Sequence, residues 1–512
     1  RTSLFLIALS PILWLVVALS ILHMPGHKAC TLALIISVLA GMFAYSMTAI
    51  HAWQAFLEGV ALACWPILLV IIAAIFTYNL SLHTKGMDVI KKMLTSVSND
   101  RRVLILLIGW GFGGFLEGMA GFGTAIAIPA GMLAGIGINP VLAASVCLIA
   151  NSVPTAYGSI GIPLVTLASV TGIDATTLAT YTSLQLAPLT ILCPFLMTIV
   201  TGGSLKALKG MLTMCLAASF CFLLPELAIA TFMGPELAVV AGSIGAMAAI
   251  VVCAKFFPVT DSAYAMPEQN QSSVAPSEGL KAWLPFILIF IFLLMTSKLI
   301  PAIHDPLNVI KSSVLIYDGP GGAPYTFTWV ATPGVLILLA AFIGGSVQGA
   351  GFAEMLAVLK RTIINLRFTI LTIITVIATA KVMGYAGMTH EIAETAVTAT
   401  GTAYPAIAAF IGSIGTFITG SATSSCVLFG KLQTDSALAI GATPAAQAWI
   451  AAANATGACA GKMISPQSIA IAVAAIGVTG VDGKLLHFAV KIYLPFIIIM
   501  GLMVFFGQAI VG

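Results

Sequence analysis

Charge is scarce in this sequence. Asp, Glu, Lys and Arg make up 7% of its 512 residues, against about 25% in an ordinary soluble domain. A chain so poor in charge cannot clothe a water-exposed globular surface. Its net charge of +4 comes without a basic cluster, so no nucleic-acid partner is expected. Paired cysteines are missing too. Nine cysteines are present, mostly inside apolar segments, and none form a C-x-x-C pair. Neither a zinc site nor a disulfide framework is expected from that spacing. The sequence has no H-E-x-x-H, no P-loop and no G-x-S-x-G elbow, and the glycine-rich "GFGTAI" lacks a Walker lysine and a preceding strand. No nucleophile–base pair or metal-ligand set stands out elsewhere. An enzyme, a bound metal and an organic cofactor are all unexpected.

What the sequence has instead is long apolar runs. Hydrophobic residues make up 60% of the chain and mean hydropathy is +1.10. Each run can cross the ~30 Å hydrocarbon core of a bilayer with about 20 residues. The fold class is therefore an all-α polytopic membrane protein, with the lipid bilayer as its solvent. Twelve spans are predicted: 3–22, 30–48, 59–80, 140–170, 178–201, 211–231, 236–256, 282–303, 329–350, 368–388, 444–480 and 487–511. The first run is longer than a signal-peptide core and has no small-residue cleavage site, so it reads as a span. A start at Arg1 rather than Met implies a trimmed native N-terminus. Two further segments, 103–137 and 403–440, are each long enough for two short helices and are interrupted by glycine, serine or threonine. They are expected to be re-entrant hairpins.

With two hairpins that enter and leave on one side, fifteen of the 21 cations fall in loops on a single face of the membrane. Those loops lie around Lys28 and at 85–102, 206–209, 255–281, 360–367 and 484–491. By the positive-inside rule that face is the cytoplasm. Both termini and the loop at 304–328 come out external, and the polar stretch 258–281 becomes a cytoplasmic linker.

An internal repeat runs through both halves. "FLEGMAGFGT" at 115–124 parallels "FITGSATSSC" at 417–426, and "NPVLAASVCLIANSVPTAYGSIGIP" at 139–163 parallels "TPAAQAWIAAANATGACAGKMISP" at 443–466. The spacing from Gly118 to Pro140 is 22 residues and from Gly420 to Pro444 is 24, while Asn151 to Pro163 and Asn454 to Pro466 are both 12. The charge pattern opens the first hairpin to the cytoplasm and the second to the outside, so the repeats are expected to be inverted. The first would cover 1–201, with hairpin 103–137 and broken helix 140–170. Linking helices and the linker would fill 202–281. The second would cover 282–512, with hairpin 403–440 and broken helix 444–480. Inverted repeats with broken helices near the midplane point to a secondary transporter and to the location of its site. Helix starts exposed at such breaks bind anions without a cationic side chain.

Several side chains at these breaks are candidates. Glu117, just before the first tip, is expected either to couple a proton or to cap the tip, because an ionised carboxylate is costly at that depth. Lys462 is expected either to pair with a substrate carboxylate or to snorkel to an interface. Lys381 reads as ion-paired or snorkelling. Gly118, Gly121, Gly123 and Thr124 at the first tip, and Gly420, Ser421, Thr423, Ser424 and Ser425 at the second, can offer backbone and hydroxyl groups. Asn151 and Asn454 are repeat-equivalent amides, with chain breaks expected at 151–154 and 454–457. The histidines sit at span ends and read as poor proton relays.

"GFLEGMAGFG", "GIP" at 161–163, "GPEL" at 234–237, "VTGID" at 170–174, "ITGSATSS" and above all "GKMISPQSIAIAVAAIG" at 461–477 resemble the bacterial lactate permease family over nearly the whole chain. The resemblance implies a proton symporter of L-lactate, D-lactate or glycolate in the bacterial cytoplasmic membrane, of the hairpin-containing elevator type. It implies a small carboxylate as partner, and it leaves homo-oligomerisation and sodium coupling open. Family members carry an aspartate in the second tip, as "TGSDTS", where this chain has Ala422. They often have Asn where Cys426 stands and Phe where Tyr157 stands. Without that aspartate, Glu117 is the one acidic residue expected within the tips and breaks.

Overall fold

The computed structural model describes residues 2–121, 123–259, 261–267, 273–297, 299–478 and 481–512. Among these the elements are helices joined by loops, with one antiparallel pair of strands, Lys311–Val314 with Tyr325–Thr328. Ten helices are long and apolar enough to cross a membrane, or eleven if the bent pair Pro140–Asn151 and Pro154–Thr171 is one span. Twelve spans were expected. The difference arises partly because Thr2–Val16 and Pro333–Val347 are apolar helices of only 15 residues.

Both expected hairpins are helix–turn–helix units. The first runs in along Arg101–Met119, reverses, and returns along Thr124–Gly135. Its ingoing arm is wholly buried. The arm's base is fixed by Arg102, fully buried, which pairs with Asp100 at 2.8 Å and donates to the carbonyls of Ala207 and Lys209. Pairing and donation together satisfy a guanidinium that would otherwise be very costly to bury. The expected linker docks on this base. Tyr264 lies 4.1 Å under the Arg102 guanidinium, and Met266 N–H donates to the Asn99 carbonyl. Residues 260 and 268–272 of that linker lie outside the described residues.

The second hairpin enters along Tyr404–Thr419 and returns along Ala422–Ala439. Each hairpin is followed by a helix with a proline at its first turn and a side-chain cap before it: Asn139 before Pro140, Thr443 before Pro444. That combination is a strong helix start. The first of these helices breaks after Asn151, makes a short tight turn at Pro154–Tyr157, and bends by 60°. Ser159, Ile160 and Gly161 follow, all in the left-handed region.

The second helix corrects an expectation. Pro444–Ile464 is continuous through Asn454, and the break falls at Ser465, before Pro466–Ile476. The break expected at 454–457 rests on the equivalence of Asn454 with Asn151, and the glycines of this stretch serve packing instead. Gly457 and Gly461 lie against the Ala409 and Ser413 backbone of the ingoing hairpin arm, and Gly412 of that arm lies against Asn454. Glycines four residues apart let two membrane helices meet backbone to backbone. The expected external loop at 304–328 is also more ordered than anticipated, holding most of a short helix, Pro301–Asn308, and the strand pair.

Candidate functional site

Both hairpin tips and the first break converge on one cavity of about 600 Å³, with the second break close by. The first hairpin supplies Glu117 and Gly123. The first break supplies Thr155, Gly158 and Ser159. The second tip supplies Gly420 through Ser424, and Lys462 stands one turn before the second break. The mouth is formed by His23 and His27 with Leu366, Phe368 and Thr369.

Each tip is held by a side chain from the broken helix beside it. At the first tip the Ser159 hydroxyl donates to the carbonyl of Ala120, the residue that ends the ingoing arm. At the second, Lys462 Nζ donates to the carbonyl of Gly420 at 2.8 Å, where the ingoing arm ends with φ of 72°. Those carbonyls are among the last of their helices and have no intrahelical partner. Ser159 and Lys462 occupy the same register, each four residues before the aligned prolines Pro163 and Pro466. The return arm after the second tip begins with a capped turn, Ser421 Oγ accepting from Ser424 N–H at 3.2 Å.

Glu117 is 5% exposed, and its Oε2 has no hydrogen-bond partner. The carboxylate lies directly against Gly158, where any β-carbon would collide with it. No ion pair within 4.0 Å joins Glu117 to Lys462, so the cavity wall carries one acid and one ammonium held apart.

Among the residues singled out in the sequence, Glu117, Gly123, Gly420, Ser421, Thr423, Ser424 and Lys462 line the cavity. Five others do not. Gly118 packs on Val239 and Val240, and Gly121 backs onto Ser159 with φ of 68°. The Thr124 hydroxyl closes the first turn by donating to the Gly121 carbonyl at 2.7 Å. Asn454 is taken up by the second hairpin, accepting from Gln433 at 3.0 Å and donating to Ser425 Oγ at 3.4 Å. Asn151 is buried, with neither amide atom hydrogen-bonded. Lys381 lies 3.9 Å from Glu58, the ion pair anticipated for it.

The sequence reading missed Thr155, Gly158 and Ser159. For Ser159 a signal was available in its register with Lys462. His23 and His27, set aside as span-end histidines, stand at the mouth. Glu226 was missed as well. It is fully buried on Leu212–Phe232, and neither carboxylate oxygen has a hydrogen bond.

The L-lactate permease family matches residues 4–511. The chain is 42% identical to an L-lactate permease of Streptococcus iniae, over 89% of this chain and 94% of that protein. It is 34% identical to the glycolate permease GlcA of Escherichia coli K12, over 97% and 94%. Among solved structures, the YdaH transporter of Alcanivorax borkumensis matches 78% of this chain and 87% of its own at 14% identity, with a TM-score of 0.34.

Proposed function

The chain belongs to the L-lactate permease family, and from that premise we propose that it is a secondary transporter moving a small 2-hydroxymonocarboxylate such as lactate or glycolate across the bacterial cytoplasmic membrane by proton symport. The observation that carries this reading is the cavity itself, lined by two hairpin tips, a carboxylate whose Oε2 has no hydrogen-bond partner, and an ammonium. Each has a role. The substrate carboxylate lies at the second tip, against the start of Ala422–Ala439 and the hydroxyls of Ser421, Thr423 and Ser424. Free N–H groups and the helix dipole favour an anion there. Lys462 turns from the Gly420 carbonyl to the anion, because a hydrogen bond between two charged groups is stronger than one to a neutral carbonyl. That exchange loosens the second tip when substrate arrives. Glu117 takes the proton. Substrate anion and proton together form a neutral load, which lowers the cost of carrying charge through a low-dielectric region.

The positive-inside rule assigns the Lys28 and Arg367 side to the cytoplasm. The cavity mouth at His27 and Phe368 adjoins those two residues, so in this reading the cavity faces inward. The two hairpin–helix units act as inverted repeats, and the unit carrying the tips moves as an elevator between the two sides.

Uptake of labelled lactate into proteoliposomes, with pH and sodium gradients imposed separately, tests the reading. Accumulation driven by the pH gradient alone is expected. Accumulation that needs sodium would transfer the coupling to sodium. Glu117→Gln is expected to keep lactate exchange and to lose pH-driven accumulation. Full accumulation by that variant would remove Glu117 as the proton carrier.

A further inference from the structure

A second, smaller cavity of about 260 Å³ lies beneath the loop joining the two strands, bordered by the exposed residues Pro320 and Gly321. It holds two lysines from two different elements. Lys381 comes from Arg367–Ala386 and Lys431 from Ala422–Ala439, the return arm of the second hairpin. The lysines share one patch because the Lys431 stem lies over Gly384, where an added β-carbon would stand 3.3 Å from Lys431 Cδ. Gly384 is one turn from Lys381.

Each ammonium sits near a carboxylate without being hydrogen-bonded to it. Lys381 Nζ is 3.9 Å from Glu58 Oε1, and Lys431 Nζ is 3.8 Å from Asp435 Oδ1. Both distances exceed a hydrogen bond between these atoms. The Glu58 carboxylate is also engaged by the Tyr385 hydroxyl, and Asp435 Oδ2 has no partner. His390 stands one turn from Glu394, pairs with it at 3.2 Å, and acts on Asp435 electrostatically. Thr389 lines the same cavity. Two ammoniums, each with three donors, thus face one small space from opposite helices.

The position of this space adds the decisive point. Arg367–Ala386 lines the central cavity with Phe368 to Ile373 at its start, and the smaller cavity with Ala380 to Tyr385 at its end. Ala422–Ala439 lines the central cavity with Ala422 to Ser424, and the smaller one with Val427 to Lys431. Both cavities therefore lie in sequence along the same two helices. From Ile373 to Ala380 is seven residues, ~10 Å of helix. The mouth of the central cavity is at the opposite end.

We propose that this smaller cavity is a second carboxylate-binding site, a vestibule on the closed side of the central cavity where Lys381 and Lys431 together hold the anion before it reaches the second tip. The identity of the anion as the transported carboxylate rests on the function proposed above. The two-lysine anion site does not. A carboxylate has acceptors enough for both ammoniums. Held there, it joins the return arm to Arg367–Ala386. Glu58 and Asp435 balance the charge of the two lysines, so an anion is held here by the ammonium donors at short range, an attraction that salt weakens.

The test uses the full-length protein in proteoliposomes. Lactate uptake is measured for wild type, Lys431→Gln and Lys381→Gln, at low and high ionic strength. Lys431→Gln is expected to raise KM about tenfold at low salt and to leave the maximal rate nearly unchanged, with the difference shrinking at high salt. An unchanged KM would overturn the proposal. A lowered maximal rate with unchanged KM would give Lys431 a structural role and overturn it equally. Because Lys381 also holds Glu58, Lys381→Gln is read beside Lys381→Gln with Glu58→Gln, which removes the stranded carboxylate. A raised KM in both variants supports the vestibule, and recovery of wild-type KM in the double variant refutes it. A direct reading accompanies these: the rate at which an amine-acetylating reagent modifies Lys431, followed by mass spectrometry, with lactate or chloride present. Protection by lactate and not by chloride supports a carboxylate site. Equal protection by both shows a general anion site and refutes the carboxylate assignment, and protection by neither refutes the site. If lactate protects Lys431 while the wild type moves no lactate, the transport reading fails and the site stands. If lactate is transported without protecting Lys431, the site fails and the transport reading stands.

Discussion

At the first hairpin tip, a neutral hydroxyl, Ser159, holds the last carbonyl of the ingoing arm; at the second, an ammonium, Lys462, holds the equivalent group. The two side chains share a register four residues before the aligned prolines, and they make the same kind of contact with different charge. The surroundings differ in the opposite sense. The first tip carries the carboxylate of Glu117, while the second carries hydroxyls and Ala422. Acid and base are thereby divided between the two units and meet only across the cavity. If the two tips had been identical, the wall would hold two like groups, and like charges in a low-dielectric site repel strongly. On the function proposed above, that asymmetry would give a substrate anion and a proton separate places to bind.

The largest effect is expected at the charged latch. Lys462→Met removes the donor to Gly420 and the ammonium that lines the cavity. Hydrogen bonds to charged groups are worth about 1.5–3 kcal/mol, so uptake is expected to fall about a hundredfold while the protein still inserts and purifies. Uptake and thermal stability measured on one preparation check this. Wild-type uptake by Lys462→Met would show that neither the second latch nor its charge is needed for uptake.

The next effect separates the acid from its support. Gly158→Ala places a methyl group where the Glu117 carboxylate lies, so the carboxylate must move. pH-driven accumulation is expected to fall about tenfold, within the roughly hundredfold that a misplacement of an ångström can cost, with lactate exchange affected less. Equal losses in the two assays would mean that Gly158 serves packing alone.

The two amides sharpen the comparison further. Asn454 sits mid-helix in a network with Gln433 and Ser425, and Asn151 ends its helix without a partner. Asn454→Ala strands those partners and is expected to cost about 1–3 kcal/mol. Asn151→Ala removes an unsatisfied buried amide and is expected to be neutral or slightly stabilising. Thermal unfolding in detergent compares them. Equal destabilisation would show that Asn151 has polar partners in the membrane.

Much of this architecture was legible because polar interruptions in apolar runs are local signals. The hairpin turns show as glycine and serine, and the helix starts show as Asn139–Pro140 and Thr443–Pro444. The second break was misplaced because Asn454 aligns with Asn151, although glycine near the two carries different meanings. Around Ser159 it accompanies a left-handed turn, whereas Gly457 and Gly461 repeat at four residues, the spacing of a packing face. That spacing was available and favoured packing. The strands at 311–314 and 325–328 also had a signal, since "YTFT" alternates aromatic and β-branched residues beyond a glycine–proline turn. Glu226 had none. It follows Pro225 in an apolar run, and its burial comes from neighbouring helices that the chain brings to it only on folding.

The smallest effect is expected at the neutral latch, and it separates two contributions. Ser159 has φ of 47°, a conformation that favours glycine. Ser159→Ala removes the hydrogen bond to Ala120 and keeps the backbone strain. The carbonyl is left unsatisfied, at about 1 kcal/mol, so uptake is expected to fall roughly fivefold with a small loss of thermal stability. Ser159→Gly removes the same bond but relieves the left-handed backbone, which is worth about the same again. It is expected to recover the stability and not the uptake, because the tip is then unlatched in an unstrained chain. If both variants lose stability equally, the strain argument is wrong. If neither changes uptake, the first tip is held by packing alone, and the likeness to Lys462 is one of position without a shared role.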